Sequence, residues 1–156
     1  YIIVVINWNY IMKIEELRTH AAQDLNIDST ELDRESLRIP QLHNKYLNFL
    51  TDERMVLRAC NMEYDTMRRI KWEYYTGKMD QNELDARGWQ PFQLRVLKQD
   101  LDLYMNSDAD LMRIRSKIEL QREKCDYLES IVKAIMNRHW QIRSAIEWRK
   151  FTNGVN

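Results

Sequence analysis

The stretch "LMRIRSKIELQREKCDYLESIVKAIMNRHWQIRSAI", residues 111–146, decides the fold class. Positions 111, 114, 118, 121, 125, 128, 132, 135, 139, 142 and 146 step by threes and fours without a break. They read Leu, Ile, Ile, Gln, Cys, Leu, Val, Ile, His, Ile, Ile. That period predicts an α-helix with one apolar seam. Ser107 or Asp108 can cap its start, and nothing stops it before Gly154. Roughly forty residues at about 1.5 Å each span about 60 Å, more than a compact domain of this size covers. The seam therefore needs a partner, as coiled-coil seams do. The partner is a long helix of the same chain, the same helix of a second copy, or both. The expectation is an oligomerisation seam carried by Ile118, Leu128, Val132, Ile135, Ile142 and Ile146. Gln121 and His139 read as register devices, because a polar seam position costs stability and selects alignment.

Outward from this helix the chain stays helical. Only 3 glycines and 2 prolines occur in 156 residues, so there are few turn-formers and few helix breakers. A first helix is expected over about 12–25. Asp28 or Ser29, with Glu31, then reads as a capping box for a short helix that Pro40 ends. A long helix follows over about 41–76, with positions 46, 50, 57, 60, 64, 67 and 74 in step, and Gly77 as its left-handed stop. Residues 78–93 read as a loop. Residues 94–105 fit a helix or irregular linker, with short strands as the alternative. The fold class is mainly α: a few long helices and a C-terminal, coiled-coil-like oligomerisation helix. The domain reading is 12–106 as a helical nucleic-acid-binding region and 107–156 as the oligomerisation helix. Residues 1–11, "YIIVVINWNYI", read as an extension upstream of Met12, or else as a β-prone tail.

The formal net charge is zero, but the charge is segregated. Residues 54–78 hold six basic and three acidic side chains, residues 80–110 three and seven, and residues 133–150 five and one. Such segregation gives local fields that an average hides. Cys60 and Cys125 sit in helical patterns and read as reduced core thiols of a cytosolic protein. No transmembrane run or signal peptide is expected.

Enzyme chemistry finds no foothold. Gly77-Lys78 is followed by Met79 with no Gly-rich loop before it, so it is no phosphate-binding loop. His20, His43 and His139 are far apart, and the cysteines form no CxxC. "DLDLYMNSDAD" (100–110) lacks the glycine and closing Glu of a calcium loop. No cofactor and no metal are expected.

"RRIKWEYYTGK", residues 68–78, is different in kind. Arg68, Arg69, Lys71 and Lys78 surround Trp72, Tyr74 and Tyr75, with Arg58 further up the same helix. Cations hold phosphates, and rings stack on unpaired bases. The other reading is an amphipathic helix end, its rings in the core and its cations snorkelling outward. Trp72 is read as core. A second basic segment places Lys133, Arg138, Arg143, Arg149 and Lys150 among Trp140, Trp148 and Phe151. It supports the first reading, or only complements a helix C-terminus.

From Met12 onward the chain resembles the UvsY family, the recombination mediators of T-even-like phages. "IDST" (27–30) follows an "MKIEEL" helix at the family's spacing. "RIKWEYYTGK" (69–78) is similar to the family's K-A-R-L-D-Y-Y-S-G-R stretch, and "IRSAIEWRKFTNG" (142–154) to its closing amphipathic helix. The resemblance implies a non-enzyme in the cytoplasm of an infected bacterium. Its partners would be single-stranded DNA, the phage single-strand-binding protein and a RecA-like recombinase. It implies homo-oligomers, hexameric or heptameric rings, built through the C-terminal region. It also places the family's two DNA-binding cations on Arg69 and Lys71. These lie about 200° apart on a helix, so one strand meets both only by wrapping or by running between copies. The expected single-strand contacts are Arg58, Arg68, Arg69, Lys71, Tyr75 and Lys78. The rival is a structural coiled-coil or scaffold protein that assembles without binding DNA.

Overall fold

The computed structural model describes residues 13–154; the expectations for residues 1–11 lie outside them. Five helices follow in order: α1 (Ile14–Asp24), α2 (Leu32–Tyr75), α3 (Gln81–Arg87), α4 (Leu101–Ser107) and α5 (Ala109–Thr152). No strand occurs among the described residues, as the mainly helical reading requires. Two compact units form. One joins α1, α2 up to Met55 and α5 from Glu123; the other spans Val56–Arg122.

In the first unit, α2 runs antiparallel to α5, with Glu53 paired to Lys124 and Glu35 to Arg138. Leu17 and Ala21 of α1, Leu32, Leu42, Tyr46 and Leu50 of α2, and Cys125, Leu128, Ile131, Ile135 and Ile142 of α5 are buried. Each Leu or Ile among them contributes about 1.5–3 kcal/mol. Arg138, 2% exposed, closes the open end of α1. Its guanidinium donates to the carbonyls of Asp24 (3.3 Å), Leu25 (3.1 Å) and Asn26 (2.9 Å), and to the Glu35 carboxylate. A cation at a helix C-terminus meets the negative end of the dipole.

In the second unit, Glu63 of α2 binds Lys117 of α5 (2.8 Å). Its centre is Cys60, Ile114 and Ile118, with Val56, Leu57, Tyr64 and Met67 packed against them. Cys60 and Cys125 are both buried, and burial pushes the Cys125 thiol up.

Four expectations need correction. Pro40 does not end a helix but lies inside α2. Its missing N–H and ring clash cost about 3 kcal/mol. Leu32 and Glu35 before it and Leu42 and Tyr46 after it are all buried, so packing holds the helix through the proline. Asp28 does not cap the helix: its Oδ1 accepts from the Thr30 N–H (2.8 Å) and hydroxyl (2.6 Å), closing a turn instead. The 78–93 segment is not all loop, since α3 lies within it. The signal was Asp80 three residues before Glu83, with Gly88 behind. Asp80 Oδ1 caps the Glu83 N–H at 2.8 Å, and Gly88 is left-handed at φ 68. Over 94–105 the helix-or-linker reading holds and the strand alternative does not: an irregular stretch leads into α4.

The fourth correction concerns the seam. Ile118, Leu128, Ile135 and Ile142 are 5%, 0%, 0% and 3% exposed within the single chain. They are covered within the chain, where α2 packs on Ile118 and pairs with α5 through Glu53–Lys124 and Glu35–Arg138, so these four side chains present nothing to a second copy. Val132 is half-buried, and only Ile146, at 37%, faces outward. His139 is exposed and leaves the seam, while Gln121 stays in it. The buried face is also wider than the heptad, taking in Lys124, Ile131 and Arg138 beside it. The two cations there are tolerated because each has a carboxylate from α2.

Candidate nucleic-acid interface

The basic–aromatic stretch forms the last turns of α2. Gly77, at φ 68, reverses the chain. The Lys78 N–H then reaches the Glu73 carbonyl (2.8 Å) and the Gly77 N–H the Tyr74 carbonyl (3.2 Å), the paired closure of a Schellman motif. That reversal brings Lys78 Nζ to 4.2 Å from the centre of the Trp72 ring. Trp72 is 39% exposed, so its reading as core is corrected: Ile70 and Lys71 take the inward positions of this turn.

The expected contacts separate into two groups. Arg58, Arg68, Arg69 and Lys78 are exposed. Arg69 is held by Glu73 at 2.7 Å. Arg58, Arg68 and Lys78 have no carboxylate within ion-pair distance among the described residues.

Lys71 and Tyr75 point inward. Lys71 is 7% exposed, with Nζ 2.9 Å from Asp108 Oδ2, 2.8 Å from Asp110 Oδ2 and 4.3 Å from the Trp89 ring centre. Arg69 and Lys71 thus point opposite ways, as their helical spacing requires. The Tyr75 hydroxyl donates to the same Asp108 Oδ2 at 2.8 Å. Asp108 Oδ1 meanwhile accepts from the N–H groups of Asp110 (3.0 Å) and Leu111 (3.1 Å), capping α5. Burial alone would raise the Asp108 carboxyl; the bonds from Lys71, Leu111 and Tyr75 outweigh it and hold it below the usual carboxylate range. Burial alone would lower the Lys71 ammonium, and Asp110 and Asp108 together hold it above its usual value. The Tyr75 phenol is pushed up, by burial first and then by Asp108. Its ring packs edge-on against Tyr74 and Phe92 at 5.3 and 5.0 Å.

Two grooves meet at Trp72. The first, about 500 Å³, is lined by Arg68 and Arg69 but also by Asp65 and Asp102. The second, about 680 Å³, is lined by Lys78, Arg95 and Lys98, with Phe92, Leu94 and Leu101 among its apolar walls. Arg95 and Lys98 were missed in the sequence because they lie in the acidic 80–110 segment, whose balance masks them.

The second basic segment is broken up. Arg138 is internal, Arg143 binds Glu147 at 2.9 Å, and Arg149 donates to the Ser29 carbonyl. No group of His, Cys, Asp and Glu among the described residues could hold a metal ion. No helix among them is long and apolar enough to cross a membrane.

Comparison with known proteins agrees with this architecture. Crystal structures of the bacteriophage T4 recombination mediator protein UvsY share the fold. Lattice type II matches with TM-score 0.79 and 21% identity, covering 91% of this chain and 98% of that one. Lattice type IV matches with 0.79 and 20%, covering 90% and 99%. In sequence, the chain is 22% identical over 143 residues to the recombination protein uvsY of Enterobacteria phage T4, covering 92% of this chain and 99% of the relative. The family described as "Recombination, repair and ssDNA binding protein UvsY" matches residues 20–155. A match of that extent, on the helical fold the family's solved structures share, places this chain in the UvsY family.

Proposed function

We propose that the protein binds single-stranded DNA and helps load a RecA-like recombinase onto DNA coated by single-strand-binding protein. One observation carries the DNA reading: the unpaired cations Arg68 and Lys78 flank the exposed ring of Trp72 at the end of α2. Phosphates attract such cations, and a free ring face accepts an unpaired base. Arg58 and Arg69 extend the positive face, while Lys71 and Tyr75 hold the scaffold beneath it. In this reading residues 12–106 carry the DNA contact and residues 107–156 carry assembly.

Assembly into a hexameric or heptameric ring multiplies weak contacts per copy into tight binding, which lets a neutral chain hold DNA. With the heptad seam covered, we place the contact between copies on the other side of α5. Met136, Trp140, Trp148 and Phe151 are 56%, 57%, 65% and 73% exposed. They fall about 100–240° around the helix from Ile135 and Ile142, on its outward half.

The test is anisotropy of labelled oligo(dT) and of the matching duplex. The proposal predicts preferential binding of the single strand, weakened in an Arg68→Ala, Lys78→Ala variant. An assembled protein that binds neither strand would be the scaffold protein of the rival reading.

A further inference from the structure

We propose that a nucleotide of the single strand seats in the second groove, its base stacked on Trp72 and its phosphates held by Lys78, Arg95 and Lys98. This rests on the single-strand reading above and moves its centre away from the motif cations Arg69 and Lys71.

Four observations lead there. First, both motif cations are engaged: Arg69 by Glu73, Lys71 by Asp108 and Asp110. A phosphate would have to displace a carboxylate at either one. Second, the two grooves differ in charge. The first sets Arg68 and Arg69 against Asp65 and Asp102. The second carries three cations and no carboxylate in its lining, and none of the three has an ion pair among the described residues. An anionic backbone is drawn to the second.

Third, the other rings at the second groove pack on one another. Tyr74, Tyr75, Phe92 and Tyr104 pack on one another at 5.0–5.8 Å. Trp72 stands outside that cluster and forms a wall of both grooves. Lys78 Nζ lies 4.2 Å from its ring centre, and a base can displace this flexible end while the ammonium moves to the adjacent phosphate. Fourth, the volume of about 680 Å³ lies in the range that encloses a small organic ligand, roughly 300–1,000 Å³. Stacking requires an unpaired base, so the site selects single strands over duplex.

The experiment is a salt titration of oligo(dT) binding by the full chain, read by anisotropy. It compares wild type with Arg95→Gln, Lys98→Gln and with Trp72→Leu. Arg95 and Lys98 are exposed, outside any helix and without ion pairs, so their replacement leaves the fold intact, as thermal melting checks. Losing two phosphate contacts should flatten the log–log salt slope by about 1.4 per subunit engaged. Trp72→Leu should weaken binding about 5- to 100-fold with the slope unchanged, as stacking on one ring implies. Wild-type affinity and slope in the Arg95, Lys98 variant would overturn the proposal. So would loss of slope in Arg68→Ala, Arg69→Ala together with a wild-type slope in Arg95→Gln, Lys98→Gln, since that puts the strand in the first groove. If wild type itself binds no single strand, the broader reading fails first, and that outcome is distinct from either of these.

Discussion

Replacing Lys71 by Met separates the scaffold role of this residue from the DNA-contact role that the resemblance implies. The ammonium lies between two carboxylates, and Asp108 is 6% exposed. Removing one partner of a buried pair costs about 3–5 kcal/mol, because the other charge stays buried and uncompensated. Asp108 keeps three bonds, from the Tyr75 hydroxyl and the Asp110 and Leu111 N–H groups, and Asp110 can rehydrate. Those place the cost near the lower end, although the contact with the Trp89 ring is also lost. At about 2–4 °C per kcal/mol for a chain of this size, Tm should fall by roughly 6–12 °C. Asp108→Asn in the same chain should recover part of the loss, since no uncompensated charge then remains. Arg69→Ala breaks only an exposed i,i+4 pair, about 0.3–0.5 kcal/mol, and should leave Tm within about 2 °C. Circular dichroism melts give Tm, and oligo(dT) titration below the melting range gives the salt slope. If Lys71→Met melts like wild type while its slope drops by about 0.7, Lys71 touches phosphate and the scaffold assignment is wrong.

Three further outcomes follow from the geometry. Ile135→Asp should abolish cooperative melting of the first unit and not yield folded smaller species, because Ile135 is 0% exposed and an unpaired buried carboxylate costs several kcal/mol; light scattering showing a folded, dissociated protein would return the heptad seam to the interface between copies. Trp148→Glu with Phe151→Glu should shrink the assembly with Tm nearly unchanged, as both rings are exposed; an intact oligomer in light scattering would exclude this outward half of α5. The Asp108 and Glu35 carboxyls are both held below their usual range: burial raises each, and Lys71 with its neighbouring donors, or Arg138, more than offsets it. Their stabilisation is therefore full above the ordinary carboxylate pKa near 4 and is lost as pH falls through their lowered folded values. Tm should hold from pH 7 to about 5 and drop below about 4, less steeply in Asp108→Asn; an equal drop in both would remove Asp108 from the acid transition.

The long helices were legible in the sequence because their signal is periodic and local. The heptad over 111–146 and the Ser107/Asp108 cap place α5 (Ala109–Thr152) closely. What covers the heptad was not legible, because spacing names a face and not its partner. The antiparallel run of α2 depends on contacts between residues far apart in sequence, such as Glu35 with Arg138. Pro40 was misread for the same reason: a local rule met packing on both sides of it. In the interface, counting charges found Arg68 and Lys78 but could not separate them from Lys71. The difference lies in Asp108, 37 positions further along, which no local pattern connects to it. Arg95 and Lys98 were hidden by the acids around them, although the groove they line contains none of those acids.

The most direct test of the account is the dependence of oligo(dT) affinity on salt in the intact, assembled protein. If Arg58, Arg68 and Lys78 meet the strand, each contributes about 0.7 to the log–log slope for a single strand. The three together predict a slope of about −2 per subunit engaged, multiplied where several copies bind one strand. A flat line from low to high salt, with the assembly intact throughout, would contradict DNA binding by this face of the protein.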